Sequence, residues 1–165
     1  MLIFLVGMTG SGKTTLGELL AERLGVSFYD TDDIIVSMED SSVDQIFEKY
    51  GEDYFRKQES ELITHWKIEN GVVATGGGLP CHDDLMDVMN NKGVTIHVQS
   101  NVELIIERLK NSNDRPLIKG QTTSEMTKTI KALLHVRNPF YKKAVIKIKN
   151  TGAPDEAIRR IFRKL

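Results

Sequence analysis

The chain has 165 residues, which at roughly 100–200 residues per domain predicts one domain, and its 40% hydrophobic content argues against a disordered chain. With 22 basic and 23 acidic side chains the formal net charge is −1, which excludes nucleic-acid binding through bulk charge. The one cysteine, Cys81, excludes an internal disulfide, and no apolar stretch is long enough for a membrane span or a signal peptide, so we expect a cytoplasmic protein.

Short apolar runs alternate along the chain with segments whose apolar residues recur at helical spacing. In chain order, the first half is expected to form a strand at 2–6, a helix at 13–24, a strand at 26–30, a helical turn or two near 34–38, a helix after the capping box Ser42-x-x-Gln45, a helix at 54–68 and a strand at 71–75. The second half is expected to form a strand at 94–98, a helix that begins at the capping box Ser100-x-x-Glu103, a polar loop at 111–123, a helix that Ser124 caps and that ends at 136–137, a strand at 144–149 and a last helix with Pro154 in its first turn. This alternation predicts an α/β fold in which a parallel sheet carries helices on both faces and binds ligands beyond the carboxyl ends of its strands.

A glycine-rich motif follows the first strand directly. Residues 7–14, GMTGSGKT, match the pattern G-x-x-x-x-G-K-S/T completely and lie between the first strand and the first helix. Glycines let backbone N–H groups approach phosphate oxygens, and a helix amino terminus favours negative charge. Lys13 would bridge the β- and γ-phosphates of a nucleotide, and the Thr14 hydroxyl would bind Mg²⁺. The alternative is a glycine-rich turn that merely precedes a helix.

Three acidic residues, Asp30, Asp32 and Asp33, follow the second strand. If the chain stays extended, Asp30 and Asp32 project to the same side. One carboxylate could then hold a Mg²⁺-bound water while the other accepts a proton from a substrate hydroxyl. In the alternative interpretation one of the three caps the next helix, and Asp33 is the best candidate for that role.

Three arginines are candidates for binding anionic groups. Arg56, on the helix at 54–68, and Arg137, near the end of a later helix, could each bind a small carboxylate through two hydrogen bonds. Periodicity leaves open that either one is a surface residue. Arg115, in the polar loop, could close over phosphates and stabilise the departing γ-phosphoryl group, with Arg108 and Lys110 as nearby alternatives.

Three consecutive glycines, Gly76-Gly77-Gly78, follow the third strand. They allow the backbone to approach a ligand closely, or they form a tight turn to which Pro80 contributes. The four histidines lie far apart without metal-ligand spacing, which disfavours a zinc site. Cys81-His82 is a weak candidate for a nucleophile pair, because sequence neighbours rarely act together in catalysis.

In this order the motifs resemble those of the shikimate kinases over nearly the whole chain. The motifs that carry the resemblance are residues 7–15, Asp30-Thr31-Asp32, Phe55-Arg56, Gly76-Gly77-Gly78, Arg115-Pro116-Leu117 and Arg137-Asn138-Pro139-Phe140-Tyr141. The phosphate-binding loop alone indicates only a broad superfamily, whereas the whole set is much more specific. The resemblance implies a single three-layer α/β domain over 1–165, similar to the nucleoside monophosphate kinases, with a five-stranded parallel sheet, a substrate-binding segment near 31–60 and a lid near 111–123.

The resemblance further implies ATP-dependent phosphorylation of the 3-hydroxyl of shikimate, in the pathway to chorismate and the aromatic amino acids. ATP would be bound by Gly10, Ser11, Gly12, Lys13, Thr14, Thr15 and Arg115. Mg²⁺ would be held by Thr14 and, through water, by Asp30. Shikimate would be bound by Asp32, Arg56, Gly77, Gly78 and Arg137. Lys13, Asp32 and Arg115 would act in catalysis.

The sequence departs from the family pattern in three places: at Leu79-Pro80, at residues 150–152, which lack a basic residue near adenine, and in the lid, with Lys119 and a polar run at 121–123. Two alternatives stay open. One is a kinase of the same architecture that acts on another hydroxy acid, such as gluconate, and the other is a nucleotide-dependent binding protein without catalysis. The expected partners are ATP and shikimate, with no nucleic acid, no membrane and a monomeric chain.

Overall fold

The computed structural model describes residues 1–111 and 120–165. The described residues form five strands and eight α-helices in the order β1 (Leu2–Val6), α1 (Lys13–Leu24), β2 (Phe28–Asp30), α2 (Thr31–Glu39), α3 (Val43–Tyr50), α4 (Glu52–Thr64), β3 (Gly71–Ala74), α5 (Leu85–Lys92), β4 (Val94–Gln99), α6 (Val102–Lys110), α7 (Thr123–Tyr141), β5 (Ile146–Lys149) and α8 (Pro154–Phe162). The strands form one parallel sheet in the order β2-β3-β1-β4-β5, and helices cover both faces. The expected α/β fold with a five-stranded parallel sheet is confirmed.

The central strand β1 is buried on both faces, which explains its unbroken apolar sequence. Ile3 and Leu5 point to one side and pack with apolar residues of α1 and α8. Leu2, Phe4 and Val6 point to the other side and pack with residues at the end of α4 and along α5. Because successive side chains of a strand alternate between faces, this one strand connects the two cores.

The end of α4 is fixed to the sheet by aromatic rings. Trp66, the only tryptophan of the chain, lies just beyond the helix and is 9% exposed. Its ring meets those of Phe4 and Tyr29 edge-on, with centroids 6.4 and 5.5 Å away.

The prediction of a helix at 54–68 was wrong at both ends, because α4 begins at Glu52 and stops at Thr64.

Two helices begin at a different residue from the one predicted. The side chain of Asn101, not Ser100, caps α6. At the start of α7, Thr122 and Glu125 form a reciprocal capping box, and the predicted cap Ser124 lies inside the helix. In each case two residues that favour the N-cap position lie close together, and the sequence pattern does not choose between them.

The end of α7 and the whole of α5 were also missed. The helix α7 was expected to end at 136–137, just before Pro139, which removes one backbone donor from a helix. It instead continues through Pro139 to the buried Tyr141.

No described helix is long and apolar enough to cross a membrane.

All five described strands run parallel, so their carboxyl ends meet at one edge of the sheet. The loop at 7–12 follows β1 there, Asp30 ends β2, and the three glycines follow β3. β1 lies between β3 and β4, where the chain order reverses, and such a switch point is where open α/β sheets form a crevice.

Candidate active site

The loop between β1 and α1 takes backbone conformations that favour glycine. Gly7, Gly10 and Gly12 have φ angles of 142°, 81° and 91°. Lys13 is 7% exposed, and its Nζ donates to the carbonyl oxygens of Gly7 at 2.9 Å and Met8 at 3.0 Å. The ammonium group is thereby held inside the loop, at the amino terminus of α1. This is the arrangement that the phosphate-binding motif predicts.

Thr14 and Asp30 contact each other directly. The Thr14 hydroxyl donates to Asp30 Oδ2 at 2.9 Å, while Asp30 Oδ1 accepts from the backbone N–H of Asp32 at 3.0 Å. Asp30 is therefore the N-cap of α2, and the expectation that Asp33 has this role was wrong. The chain turns into a helix immediately after Asp30, so the extended course that would place Asp30 and Asp32 on the same side is not formed.

The Thr14–Asp30 pair fits a magnesium ion bound together with a nucleotide. A hydroxyl and a carboxylate oxygen are ligands that Mg²⁺ accepts, and Mg²⁺ on a nucleotide takes most other ligands from phosphate oxygens and water. Across residues 1–111 and 120–165 there is no group of three His, Cys, Asp or Glu residues that could hold a metal ion. The site thus suits a metal that arrives with a phosphate ligand.

The three glycines form a wall against which functional side chains pack. A Cβ on Gly76 would lie 2.6 Å from Glu59 Oε1 and 2.7 Å from Asp32 Oδ1. A Cβ on Gly77 would lie 2.4 Å from Thr9 Oγ1, and one on Gly78 would lie 2.5 Å from Arg56 Nη2. A side chain at any of the three positions would displace these neighbouring groups, which supports close approach rather than a tight turn alone.

Two arginines reach this wall from different helices. Arg56 extends from α4 with its side chain 13% exposed. Arg137 extends from α7 with 7% exposure, and its Nη1 would lie 3.3 Å from a Cβ on Gly77. Neither is a surface residue, so that alternative was wrong for both. We call these two residues with Gly76, Gly77 and Gly78 the arginine–glycine cluster.

Glu59 is a buried acidic residue that sequence reasoning missed. It is 0% exposed, and its Oε2 accepts from Arg56 Nη1 at 2.6 Å. Burial, together with the nearby charge of Asp32, raises the pKa of Glu59 to about 7, although Arg56 opposes this shift. Arg56 also contacts the more exposed Glu52, at 3.0 Å. Glu59 lies three residues after Arg56 on a helix, a spacing that predicts contact but does not show burial.

A cavity of about 440 Å³ lies over the phosphate-binding loop and reaches Gly76 and Gly77, whereas Arg56, Arg137 and Gly78 do not line it. Its lining includes the loop residues Thr9, Gly10, Gly12, Lys13, Thr14 and Thr15, the carboxylates Asp30 and Asp32, the glycines Gly76 and Gly77, and Arg108, Asn150 and Pro154. Arg108 Nη1 donates to the carbonyl oxygen of Gly10 at 3.1 Å, and Asn150 Nδ2 donates to that of Ser11 at 2.8 Å. Arg108 was considered only as an alternative to Arg115, and its contact with the loop was not predicted. Arg115 and the central part of the expected lid lie outside the described residues.

The sequence and the fold were compared with those of known proteins. Residues 9–165 match the family model of shikimate kinase. A shikimate kinase from Aquifex aeolicus is 39% identical over 166 residues, covering 100% of this chain and 96% of the relative. A shikimate kinase from Azobacteroides pseudotrichonymphae is 42% identical over 149 residues, covering 87% of this chain and 86% of the relative.

Solved structures agree with the sequence comparison. A shikimate kinase from Bacteroides thetaiotaomicron has a TM-score of 0.89 at 31% identity, covering 99% of this chain and 97% of its own. A shikimate kinase from Acinetobacter baumannii, solved in complex with shikimate, has a TM-score of 0.89 at 32% identity and covers 98% and 90%. A gluconokinase from Sinorhizobium meliloti has a TM-score of 0.63 at 17% identity, which shows a shared fold and no more.

Proposed function

This chain belongs to the shikimate kinase family, and we propose that the residues described above transfer the γ-phosphoryl group of ATP to the 3-hydroxyl of shikimate. The observation that supports these residue roles best is the arginine–glycine cluster beside the phosphate-binding loop. The guanidinium groups of the buried Arg137 and of Arg56, whose side chain is 13% exposed, both lie beside the glycines, at the same edge of the sheet as Lys13. A small molecule with one carboxylate and several hydroxyls fits this arrangement.

ATP binds along the loop at 7–15. The backbone N–H groups of Gly10, Ser11 and Gly12 and the side chains of Thr14 and Thr15 surround its phosphates. Lys13 exchanges the carbonyl oxygens of Gly7 and Met8 for phosphate oxygens, since its ammonium group already lies within the loop. Arg108 adds positive charge on the same cavity wall.

Thr14 and Asp30 would hold Mg²⁺ when the nucleotide is bound, Asp30 through water, and their mutual hydrogen bond keeps both oxygens at one place beforehand. The metal would supply positive charge that offsets the negative charge of the phosphates. Asp30 Oδ1 meanwhile caps α2.

Shikimate lies between α2, α4 and the glycines, in the substrate-binding segment near 31–60. Arg56 and Arg137 bind the carboxylate, and the backbone N–H groups of Gly77 and Gly78 contribute to this contact. Asp32 lines the nucleotide cavity and also lies beside Gly76, so it orients the 3-hydroxyl and accepts its proton as the hydroxyl attacks. Most of the rate enhancement then comes from positioning and from the positive charge of Lys13.

Arg115 completes the site from a lid near 111–123, where it stabilises charge on the transferred group. Support for this role comes from the resemblance of the Arg115-Pro116-Leu117 motif to that of the shikimate kinases. We further propose a monomeric protein of one domain that acts in the cytoplasm, where the thiol of Cys81 stays reduced.

The test is ADP release at fixed Mg·ATP with shikimate, with gluconate and with no acceptor. Release stimulated by shikimate alone supports the proposed site. Stimulation by gluconate instead would favour the alternative kinase, and equal slow release in all three would indicate a nucleotide-binding protein. Lys13→Met is the matched control, because it removes the ammonium group and retains an unbranched side chain.

A further inference from the structure

A tyrosine that the proposed reaction does not use contacts the arginine–glycine cluster. Tyr141 is 0% exposed, and its hydroxyl donates to the carbonyl oxygen of Gly77 at 2.6 Å. Its ring packs against that of His97, with centroids 5.1 Å apart. Tyr141 lies on α7 four residues after Arg137, so both side chains project from one face of the helix.

Gly77 and Gly78 share one peptide unit, and this unit is what Tyr141 holds. The peptide is planar, and in its trans form the Gly77 carbonyl and the Gly78 N–H point in opposite directions. A hydrogen bond that fixes the carbonyl therefore fixes the N–H as well. Glycine has the freest backbone of all residues, so an external contact is needed to hold such a unit in one orientation.

The three glycines differ in the partners of their backbone N–H groups. Gly76 N–H donates to Thr31 Oγ1 at 2.9 Å. Among the residues that the structure describes, Gly77 N–H and Gly78 N–H donate to none, although both glycines are buried. Buried backbone donors are nearly always paired in native proteins, so these two are available for a ligand. The guanidinium group of Arg56 lies directly beside Gly78.

We infer that Tyr141 is a positioning residue for shikimate: by holding the Gly77 carbonyl, it directs the Gly78 N–H to the carboxylate that Arg56 and Arg137 bind. This inference rests on the proposed function. Burial raises the pKa of the Tyr141 hydroxyl above its ordinary value, so the hydroxyl remains a donor throughout the working pH range. α7 thus serves the carboxylate twice, directly through Arg137 and through the backbone by means of Tyr141.

The test compares Tyr141→Phe with Thr95→Val. Tyr141→Phe retains the ring beside His97 and removes only the hydroxyl. Thr95→Val also removes a buried hydroxyl that makes hydrogen bonds, but these bonds join Asn90 and Val145, away from the cluster. If the loss of a buried hydroxyl matters only for stability, both variants will have a lower melting temperature than the wild type, and neither will change the KM for shikimate.

Each protein is assayed with shikimate and with its uncharged methyl ester, at saturating Mg·ATP. For Tyr141→Phe we expect the KM for shikimate to rise about tenfold, the effect of weakening one hydrogen bond to a charged group, while the KM for ATP changes less than twofold. The ratio of kcat/KM for shikimate to kcat/KM for the ester should fall by the same factor. Thr95→Val should retain the wild-type KM for shikimate and the wild-type ratio. An unchanged preference in Tyr141→Phe overturns the inference.

A second readout is independent of turnover. In protein labelled with ¹⁵N-glycine, shikimate should shift the amide resonance of Gly78 in the wild type, and Tyr141→Phe should reduce that shift. If Tyr141→Phe is unstable at 25 °C, both measurements are made at 10 °C. A wild-type protein without any preference for the charged substrate would contradict the proposed function itself, whereas a wild-type preference that Tyr141→Phe retains contradicts only the role of Tyr141.

Discussion

Shikimate binding should be accompanied by proton uptake at Glu59. This carboxyl is buried against Arg56 with a pKa of about 7, so about half of the molecules carry it protonated at pH 7. The substrate carboxylate binds the same guanidinium group in the proposed complex. Two negative charges about 6 Å apart at an effective dielectric constant of about 20 repel each other by about 2.8 kcal/mol. This repulsion is enough to protonate nearly all of the Glu59 side chains.

The expected uptake is therefore about 0.5 proton per shikimate bound at pH 7, and less at pH 6, where Glu59 is already mostly neutral. Because binding takes up a proton, the affinity for shikimate should fall as the pH rises through 7. Calorimetric titration in two buffers of different ionisation enthalpy measures the uptake directly. Glu59→Gln is the control, since the amide retains the size of the side chain and cannot titrate.

Two results would refute this reasoning. Zero uptake at pH 7 would show that the protonation state of Glu59 does not change when shikimate binds. An equal uptake in Glu59→Gln would assign the proton to another group.

Three further predictions concern the residues proposed for chemistry, substrate binding and the lid. Asp32→Asn should retain the fold, by circular dichroism, and lower kcat by about 100-fold or more, because the amide cannot accept a proton; an unchanged kcat would remove Asp32 from the mechanism. Arg137→Ala should raise the KM for shikimate by about 10- to 100-fold with a smaller change in kcat, since the lost contact forms before the chemical step; steady-state kinetics with a KM for ATP as reference decides this. Hydrogen exchange in the segment near 111–123 should slow when an ATP analogue binds, and strong protection that is equal with and without the analogue would contradict a lid there.

The parts of the fold that were predicted correctly depend on local patterns. The phosphate-binding motif predicts a strand, a turn and a helix within about 20 residues, and α1 begins and ends where the sequence indicates. The strands were found because their apolar runs are short and are separated by turn residues. For the glycines at 76–78 the sequence indicated either close approach of the backbone to a ligand or a tight turn, since the effect of glycine is a property of the backbone itself.

The parts that were missed depend on contacts between distant residues. Glu59 looks like any acidic residue on an exposed helix, and only the packing of α4 on the glycine wall buries it. The continuation of α7 past Pro139 is favoured by Tyr141, whose hydroxyl contacts a residue 64 positions earlier. Asp30 rather than Asp33 caps α2, because β2 ends one residue before the helix begins and leaves no linker.

The anchoring of α4 at its far end has a consequence for the geometry of substrate binding. Trp66, two residues beyond the end of α4, packs on Phe4 and Tyr29 of the sheet, and Arg56 lies eight residues before that end of the helix. At 1.5 Å of rise per residue the distance along the helix is about 12 Å, so a tilt of about 5° at this end displaces Arg56 by about 1 Å. Misplacement by about 1 Å can cost about 100-fold in rate. The packing of Trp66 on the sheet therefore affects, from the far end of α4, how accurately the Arg56 guanidinium group is placed for its ligand.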